Sequence, residues 1–260
     1  MKIQKSSVKS VENAFTALEF IVEMTLEREG ATLGEIAEKL GMRKTTARNL
    51  LQTMELCGYV TRRGFGFYRL GNQFGRLLMV SETVNRLRSI SMPLLQDFCR
   101  KNAAPVHLSI FFNGKRHTSL YLDSSGSPQE SSIINDTTEN AYRRASTRLL
   151  LACSSPEEKE RFFAEYGMPS ADDWQAGADD LEHALAEIRK NACAVNDGNK
   201  IANIIGMAAG IFDPAERLCA ALSTSMHAAQ LPPERQEALL GALKQTAKVL
   251  TDLFSQESFL

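Results

Sequence analysis

The sequence lacks several features that would assign it to a particular class of protein. In its 260 residues no apolar run approaches the roughly 18 residues that a membrane-spanning helix needs, and no apolar segment follows the basic residues near its start. The five cysteines are an odd number, lie far apart and include no C-x-x-C pair. We therefore predict no membrane span, signal peptide, disulfide framework or zinc site, and we expect a cytoplasmic protein with reduced thiols.

Signatures of catalysis are missing as well. The sequence contains no G-x-S-x-G elbow, no P-loop and no H-E-x-x-H motif, and its four histidines are not spaced as metal ligands. His107 and His117 fall on the strands of a predicted hairpin, where we interpret them as structural or surface residues rather than catalytic ones. The prediction is a protein that has no catalytic residues, no metal and no cofactor.

The charge is nearly balanced overall but unevenly distributed. The net charge is −1, yet residues 1–70 carry 11 Lys or Arg against 8 Asp or Glu, and the other 190 residues carry 19 against 23. Within residues 43–69 there are six basic residues and a single acid, Glu55. Since phosphate binding needs a local positive surface, this distribution supports a nucleic-acid partner for the N-terminal part.

The first predicted element is an amphipathic helix over about residues 11–26. Its glutamates lie off the apolar stripe and indicate a solvated face. We expect the stripe itself to face the core, and its members are Val11, Ala14, Phe15, Leu18, Val22 and Leu26.

The next segment has the pattern of a helix-turn-helix. Thr32 and Glu35 have the spacing of a capping box, in which each side chain binds the backbone amide of the other residue. Gly41 ends the short helix that follows, and Gly58 ends a second helix after a short turn. The residues predicted to face inward are Leu33, Ile36, Ala37 and Leu40 in the first helix and Ala47, Leu50, Leu51 and Met54 in the second.

A β-hairpin is predicted directly after these helices. The segment YVTRRGFGFYRLG, which begins at Tyr59, alternates apolar and polar residues around Gly64 and Gly66, which permit the positive φ angles of a tight reversal. Three helices followed by a hairpin form a winged helix-turn-helix, which we assign to residues 1–71.

The remaining residues predict a mixed α+β domain. Residues 72–88 resemble a linker helix that packs on a partner, and a separate helix is predicted near 91–101. Asn113-Gly114 predicts a hairpin turn between alternating strands. An antiparallel sheet with flanking helices follows for residues 89–260, with helices near 145–153, 156–166, 179–191 and 233–254 and strands near 193–196, 204–212 and 217–225.

Several segments resemble the IclR family of bacterial transcriptional regulators. The match rests on SVENAFTALEFI and on TLGEIAEKLGMRKTTARNLLQTMELCGYVTRRGFGFYRLG, with weaker similarity to the effector domain in STRLLLA, LEHALAEIRKNACAV and IIGMAAGIFDPAERLCAALSTS. Arg143 and Arg144 stand where the family usually has small or hydroxyl residues, and Gly210 replaces a family proline.

The resemblance implies a function as well as a fold. It implies a winged helix-turn-helix, a dimerising linker helix and a GAF-like effector-binding domain, in a homodimeric or tetrameric regulator, commonly a repressor, of a palindromic double-stranded DNA operator. The expected effector is a small anionic metabolite such as an organic or sugar acid. The alternative is a metabolite-binding enzyme in which the winged helix serves as a protein-interaction module, and it would need a nucleophile or base that we cannot assemble from this sequence.

The predicted DNA-binding residues lie on the second helix of the motif and on the wing. Arg48 and Asn49 have the side chains that bind guanine and adenine edges in the major groove. They could equally belong to a solvated face capped by Thr45, and the wing arginines could serve solubility. The candidate residues are Arg43, Lys44, Thr45, Thr46, Arg48, Asn49, Gln52, Arg62 and Arg63.

The predicted effector-binding residues come from the second half. Arg143 and Arg144 precede a helix and could clamp a carboxylate or phosphate, or could be exposed surface arginines. Ser223 and Ser225 share one face of a strand, where they could line a cavity or lie on an ordinary surface. The candidates, several of them implied by the family's effector pocket, are Arg143, Arg144, Ala145, Asn196, Gly206, Ser223 and Ser225.

Overall fold

The computed structural model describes residues 8–64, 66–130, 141–174, 177, 180–196 and 203–256. The chain divides into two compact units, residues 1–82 and residues 83–260.

The N-terminal unit is a winged helix-turn-helix. Three helices surround a core to which α1, α2, α3 and the wing all contribute, and a small antiparallel sheet has the strand order β1-β3-β2. In the wing, Val60 pairs with Leu70 and Arg63 with Phe67. The elements are α1 (Lys9–Glu27), β1 (Ala31–Thr32), α2 (Leu33–Lys39), α3 (Lys44–Leu56), β2 (Val60–Arg63) and β3 (Phe67–Leu70).

The predicted capping box is present at the start of α2. The Thr32 hydroxyl accepts from the Glu35 amide at 3.4 Å, and the Glu35 carboxylate accepts from the Thr32 amide at 2.9 Å. The Thr32 amide, the Thr32 hydroxyl, which also donates to the carboxylate at 2.7 Å, and the Arg28 guanidinium lower the pKa of Glu35 to about 2. The carboxylate therefore stays ionised through the physiological range and fixes where α2 begins.

The predicted inward face of α1 is partly wrong. The core residues of this helix are Ala17 and Ile21, whereas Phe15 is 60% exposed and Leu26 is 85% exposed. The helix carries apolar residues on two faces, and periodicity alone does not decide which of them the rest of the unit covers. Of the predicted stripe, Ala14 and Leu18 pack against the core, while the exposed members are Val11, Phe15, Val22 and Leu26.

The segment predicted as two helices is one. Helix α4 (Asn72–Asn102) runs without interruption through Pro93. The stretch between the two predicted helices contains no glycine, and a proline removes only one backbone hydrogen bond from a helix that packing supports elsewhere. Near the proline, the Ser91 hydroxyl donates a hydrogen bond to the Leu87 backbone carbonyl one turn earlier.

The C-terminal unit is built on a five-stranded antiparallel sheet in the order β5-β4-β8-β7-β6. At the predicted hairpin, Asn113 and Gly114 have φ angles of 53° and 71°, as the predicted turn requires. The strands are β4 (Val106–Phe112), β5 (Lys115–Leu122), β6 (Cys193–Asn196), β7 (Ile204–Phe212) and β8 (Leu218–His227). The remaining helices are α5 (Ala145–Cys153), α6 (Pro156–Tyr166), α7 (Leu181–Asn191) and α8 (Pro233–Gln256).

Helices α5 and α8 pack on the five-stranded sheet. Helix α8 packs on β7 and β8, and α5 lies over β6, β7 and β8. The sheet residues beneath α5 are small. Ala194, Ala208 and Ala221 pack against Leu149 and Leu150 in one buried cluster. Small side chains allow the helix to approach closely, which brings its N-terminus next to the polar residues of the same sheet face.

Candidate nucleic-acid interface and ligand face

The exposed side of α3 carries the predicted DNA-binding side chains together. Ala47, Leu51 and Met54 are buried on the opposite side, which confirms the predicted inward face except that Leu50 is only half-buried. We call the exposed polar side chains the recognition face, and its members are Lys44, Thr45, Thr46, Arg48, Asn49 and Gln52.

Helix α3 begins differently from α2. Its N-cap residue is Arg43, in extended conformation, and no side chain caps the helix. The alternative in which Thr45 serves as the cap is therefore wrong. The amides of the first turn, which lack partners within a helix, lie at the same end as Lys44 and Thr45 and suit a phosphate oxygen.

The basic side chains of the N-terminal unit differ in whether they have acidic partners. Arg28 pairs with Glu35, Lys39 lies 3.9 Å from Glu23, and Arg69 lies 3.7 Å from Glu29. In the described part of the chain, Arg43, Arg62 and all residues of the recognition face make no side-chain hydrogen bond and no ion pair. The unpaired cations are thus those predicted to meet DNA.

The wing separates its polar and apolar residues. Val60 and Tyr68 are buried in the core, and Tyr59 packs edge-on against Phe74 with ring centroids 5.2 Å apart. Arg62 is exposed, and its guanidinium folds over the wing turn, since a Cβ added to Gly66 would lie 3.5 Å from its Nη2. Arg63 lies on β2, but its side chain is outside the described residues.

The second candidate surface is one face of the five-stranded sheet. The pairing of β4 with β8 places His107 opposite Ser223, and the pairing of β7 with β8 places Gly206 opposite Ser225. Since alternate residues of a strand share a face, these polar positions lie on the α5 side of the sheet. We call this surface the ligand face, and it comprises Ser109, His107, Arg116, Thr118, Tyr121, Asn196, Gly206, Ser223 and Ser225.

Asn196 links three elements at one edge of the ligand face. It is 8% exposed. Its side-chain oxygen accepts from the Gly206 amide at 2.6 Å, and its side-chain nitrogen donates to the Arg143 carbonyl. Both ends of the amide therefore hold the backbone, so Asn196 shapes this surface by joining β6, β7 and the turn that precedes α5.

The two predicted clamp arginines are not surface residues. The Arg143 guanidinium lies 3.3 Å from the Asp173 carboxylate with 21% of the side chain exposed. Burial opposes ionisation of Asp173, but hydrogen bonds from Ser170, with a further contribution from Arg143, lower its pKa. Arg144 is the N-cap residue of α5, is half-buried and has further interactions within the chain. Ala145 follows it in the buried first turn of α5. The alternative of two exposed arginines is wrong for both.

Two charged or titratable residues of the ligand face had no functional role in the sequence analysis. Arg116 is 4% exposed and donates through Nη1 to Ser109 at 3.1 Å and to Thr118 at 2.6 Å. Burial, together with the nearby Arg116 and Arg144, lowers the pKa of His107 to about 4. The Asn113-Gly114 turn fixes the register of β4 against β5 and so places His107 and Arg116 on one face of the sheet. That turn is the sequence signal from which both residues could have been assigned to the site.

In the part of the chain that the structure describes, no three His, Cys, Asp or Glu side chains are arranged to hold a metal ion. Among the described helices, none is both long and apolar enough to cross a lipid bilayer.

Comparison with known proteins identifies the family. Residues 81–251 match the family described as the bacterial transcriptional regulator IclR C-terminal domain, and residues 10–64 match the IclR helix-turn-helix domain. The chain belongs to the IclR family. It is a transcriptional regulator with an N-terminal helix-turn-helix and a C-terminal effector-binding domain.

Three similar proteins have low sequence identity to this chain. A probable HTH-type transcriptional regulator, ArcR, of Halobacterium salinarum is 23% identical over 221 residues, which cover 84% of this chain and 83% of that protein. The crystal structure of a putative IclR regulator from Silicibacter sp. TM1040 has a TM-score of 0.54 and 22% identity, over 94% of this chain and 96% of that one. The IclR of Thermotoga maritima has a TM-score of 0.51 and 22% identity, with coverages of 94% and 98%.

One solved relative contains a small acid. The structure of an IclR homologue from Microbacterium hydrocarbonoxydans, complexed with 4-hydroxybenzoate, has a TM-score of 0.52 and 18% identity, over 94% of this chain and 98% of that one. At this identity the similarity shows a shared fold. The fold class expected from the sequence, an α+β protein with a winged helix-turn-helix and an antiparallel sheet, is confirmed.

Proposed function

We propose that this IclR-family protein is a repressor that binds a palindromic double-stranded DNA operator in the cytoplasm through the recognition face and the wing. The observation that carries the proposal is the set of exposed cations on α3 and β2 that form no ion pair among the described residues, whereas Arg28, Lys39 and Arg69 of the same unit lie near carboxylates. An exposed, unpaired guanidinium is available for phosphate or base contacts without first breaking an internal ion pair.

The roles of individual side chains follow from their chemistry. Arg48 has the donor geometry for guanine O6 and N7, and Asn49 can bind adenine N6 and N7. Lys44, Thr45, Thr46 and Gln52 lie on the same exposed face and reach phosphates or neighbouring base edges. Arg43 at the start of α3, together with Arg62 and Arg63 on the wing, serves as phosphate contacts that set the register of the protein on DNA.

The exposed stripe of α1 supports a homodimer. Its four apolar residues are symmetric about the middle of the helix, so an antiparallel second copy would place Val11 against Leu26 and Phe15 against Val22. The same arrangement brings Lys9 of one copy toward Glu27 of the other. A two-fold interface of this kind is self-complementary, and a two-fold protein matches a palindromic operator.

The C-terminal domain is proposed to bind a small organic acid on the ligand face. Arg116 and Arg144 lie close enough to His107 to lower its pKa, and Ser223 and Ser225 share the same sheet face. Guanidinium and hydroxyl groups on one face suit an oxygen-rich anion. The 4-hydroxybenzoate complex of the Microbacterium homologue supports an acid of this size. The acid controls repression only if it binds the DNA-competent and incompetent states with different affinity.

One experiment tests both parts of the proposal. Operator fragments would be selected from random double-stranded DNA with the full-length protein and then used in gel shifts with and without a panel of organic and sugar acids. We expect a palindromic consensus, two chains per operator by native mass spectrometry, and at least one acid that changes the operator affinity. Binding that is independent of DNA sequence would contradict the proposed operator, and indifference to every acid would contradict the proposed effector.

A further inference from the structure

The half-buried side chain of His107 has a buried polar atom that the chain does not use. In the described part of the protein, Nδ1 of His107 is shielded from solvent and has no hydrogen-bond partner. Unpaired buried polar atoms are rare in native proteins and call for an explanation. The ring lies on β4 within the ligand face, so a molecule bound on this face is the natural partner for Nδ1.

Neighbouring residues hold the ring in one orientation. The His107 ring is stacked on Tyr121 with centroids 4.4 Å apart and an interplanar angle of 11°. On the other side, β8 places Ser223 opposite His107, and the Ser223 hydroxyl lies 3.5 Å from the His107 carbonyl. The stack therefore restricts the plane of the imidazole, and restricted side chains of this kind can discriminate between ligands.

The surroundings of His107 determine the chemistry of its partner. Arg116 lies on the adjacent strand, where Ser109 and Thr118 orient its guanidinium, and Arg144 lies at the start of α5. Burial and both guanidinium groups lower the pKa of His107 to about 4, so the imidazole is neutral at physiological pH. A neutral N–H in a positive environment pairs best with an anionic oxygen.

The sheet register sets the spacing of a second contact. Ser225 is diagonal to His107 across the β4–β8 pair, and diagonal neighbours in an antiparallel pair are about 7–8 Å apart. A ligand that meets both residues carries its anionic group and a hydroxyl group at opposite ends of a rigid spacer.

Resting on the proposed effector function, we propose that His107 is the specificity-determining residue of the ligand face, binding through Nδ1 the carboxylate of a hydroxy-substituted acid whose hydroxyl reaches Ser225. Arg116 adds positive potential from β5 and keeps the carboxylate ionised. The assignment adds β4 and β5 to a site that the family resemblance placed on β6, β7 and β8.

The test measures binding of three acids that differ in one feature. Isothermal titration of the full-length protein would use 4-hydroxybenzoate, its isomer 2-hydroxybenzoate, and benzoate. We expect the 4-hydroxy acid to bind about tenfold more tightly than either of the others, because only its hydroxyl lies across the ring from the carboxylate. Equal affinity for the three acids would overturn the predicted spacing.

Two variants separate a binding role of His107 from a structural one. His107→Phe keeps the stack on Tyr121 but removes Nδ1, whereas His107→Asn places a polar atom near the Nδ1 position and removes the ring. We expect about a tenfold or greater loss of affinity for 4-hydroxybenzoate in the Phe variant and at most about a threefold loss in the Asn variant. The opposite order would show that stacking matters and would overturn the proposal.

The remaining outcomes are also decisive. If the Phe variant does not fold, judged by the fluorescence of Trp174, His107→Gln replaces it, because its amide reaches the Nε2 position and is expected to lose the same affinity. A wild-type protein that binds none of the three acids overturns this inference, while the operator and the wider acid panel still test the proposed function.

Discussion

The recognition face and the ligand face use the same kinds of side chain in opposite environments. On α3, Arg48 and Asn49 are exposed and without internal partners. On the C-terminal sheet, Arg116 is buried against two hydroxyls and Asn196 is hydrogen-bonded at both ends. An exposed group can be replaced at little cost in stability, whereas a buried one is part of the fold, so substitutions separate function from stability in one unit and combine them in the other.

The largest effect is expected at Asn196. Replacement by alanine leaves the Gly206 amide and the Arg143 carbonyl without their partner in a buried site, so we expect Asn196→Ala to lower the free energy of unfolding by about 2–4 kcal/mol. Trp174 is the single tryptophan and lies in the C-terminal unit, so its fluorescence in urea follows this unit.

The matched control for Asn196→Ala is Ser225→Ala. Ser225 lies opposite Gly206 but has no side-chain hydrogen bond within the described residues, so we expect a change below about 1 kcal/mol. Equal urea midpoints for Asn196→Ala and the wild type would show that the two hydrogen bonds do not hold the ligand face together.

Many features of both units could be predicted from the sequence, because local sequence signals determine where helices, strands and turns begin and end. The Thr32–Glu35 pair and Asn113-Gly114 each predicted a specific backbone geometry that the structure contains. Strand alternation also placed Ser223 and Ser225 on one face. These signals depend on residues within a few positions of one another, where steric and hydrogen-bonding preferences act directly.

The missed features depend on which surface a distant element covers. Phe15 and Ile21 are both apolar and both lie on α1, and only tertiary packing decides that Ile21 is buried and Phe15 exposed. Likewise, the sequence places His107 on a strand but does not show that Arg116 and Arg144 lie beside it. The binding roles assigned to residues from the sequence remain predictions, because binding of DNA or of an effector is what tests them.

At Arg48 the expected effect is on binding rather than stability. Arg48→Ala should lower the affinity for the selected operator about 10- to 100-fold and relax the preference at one base pair, because a bidentate guanine contact contributes about 1–3 kcal/mol. Fluorescence anisotropy with operator variants at that base pair gives the measurement. Lys39→Ala is the control, since Lys39 is a cation of the same unit that lies near Glu23. Loss of affinity to the same degree in both variants would contradict a specific role for Arg48.

A smaller, pH-dependent effect is expected at Glu35. Its carboxylate has a pKa of about 2 in the folded protein against an ordinary 4.5, so its stabilising contribution is complete above 4.5 and is lost as the pH falls toward 2. Glu35→Gln should therefore destabilise α2 at neutral pH by about 1 kcal/mol or less, as for a helix cap, and the difference should disappear near pH 2. Hydrogen exchange of the α2 amides measures it, and a difference that does not change with pH would contradict the ionic contribution.

The smallest effect separates a phosphate contact from a base contact within the same unit. If Arg62 meets a phosphate, Arg62→Ala should weaken binding by a similar factor for every DNA sequence and reduce the slope of log affinity against log salt by about one. Arg48→Ala, by contrast, should change the sequence preference more than the nonspecific affinity. Lys101→Ala is the control for charge, because Lys101 lies in the C-terminal unit and pairs with Asp97 at 2.7 Å. If the Arg62 and Lys101 variants both keep the wild-type slope, the wing arginine lies away from the DNA backbone, and the α3 end of the unit carries the electrostatic attraction.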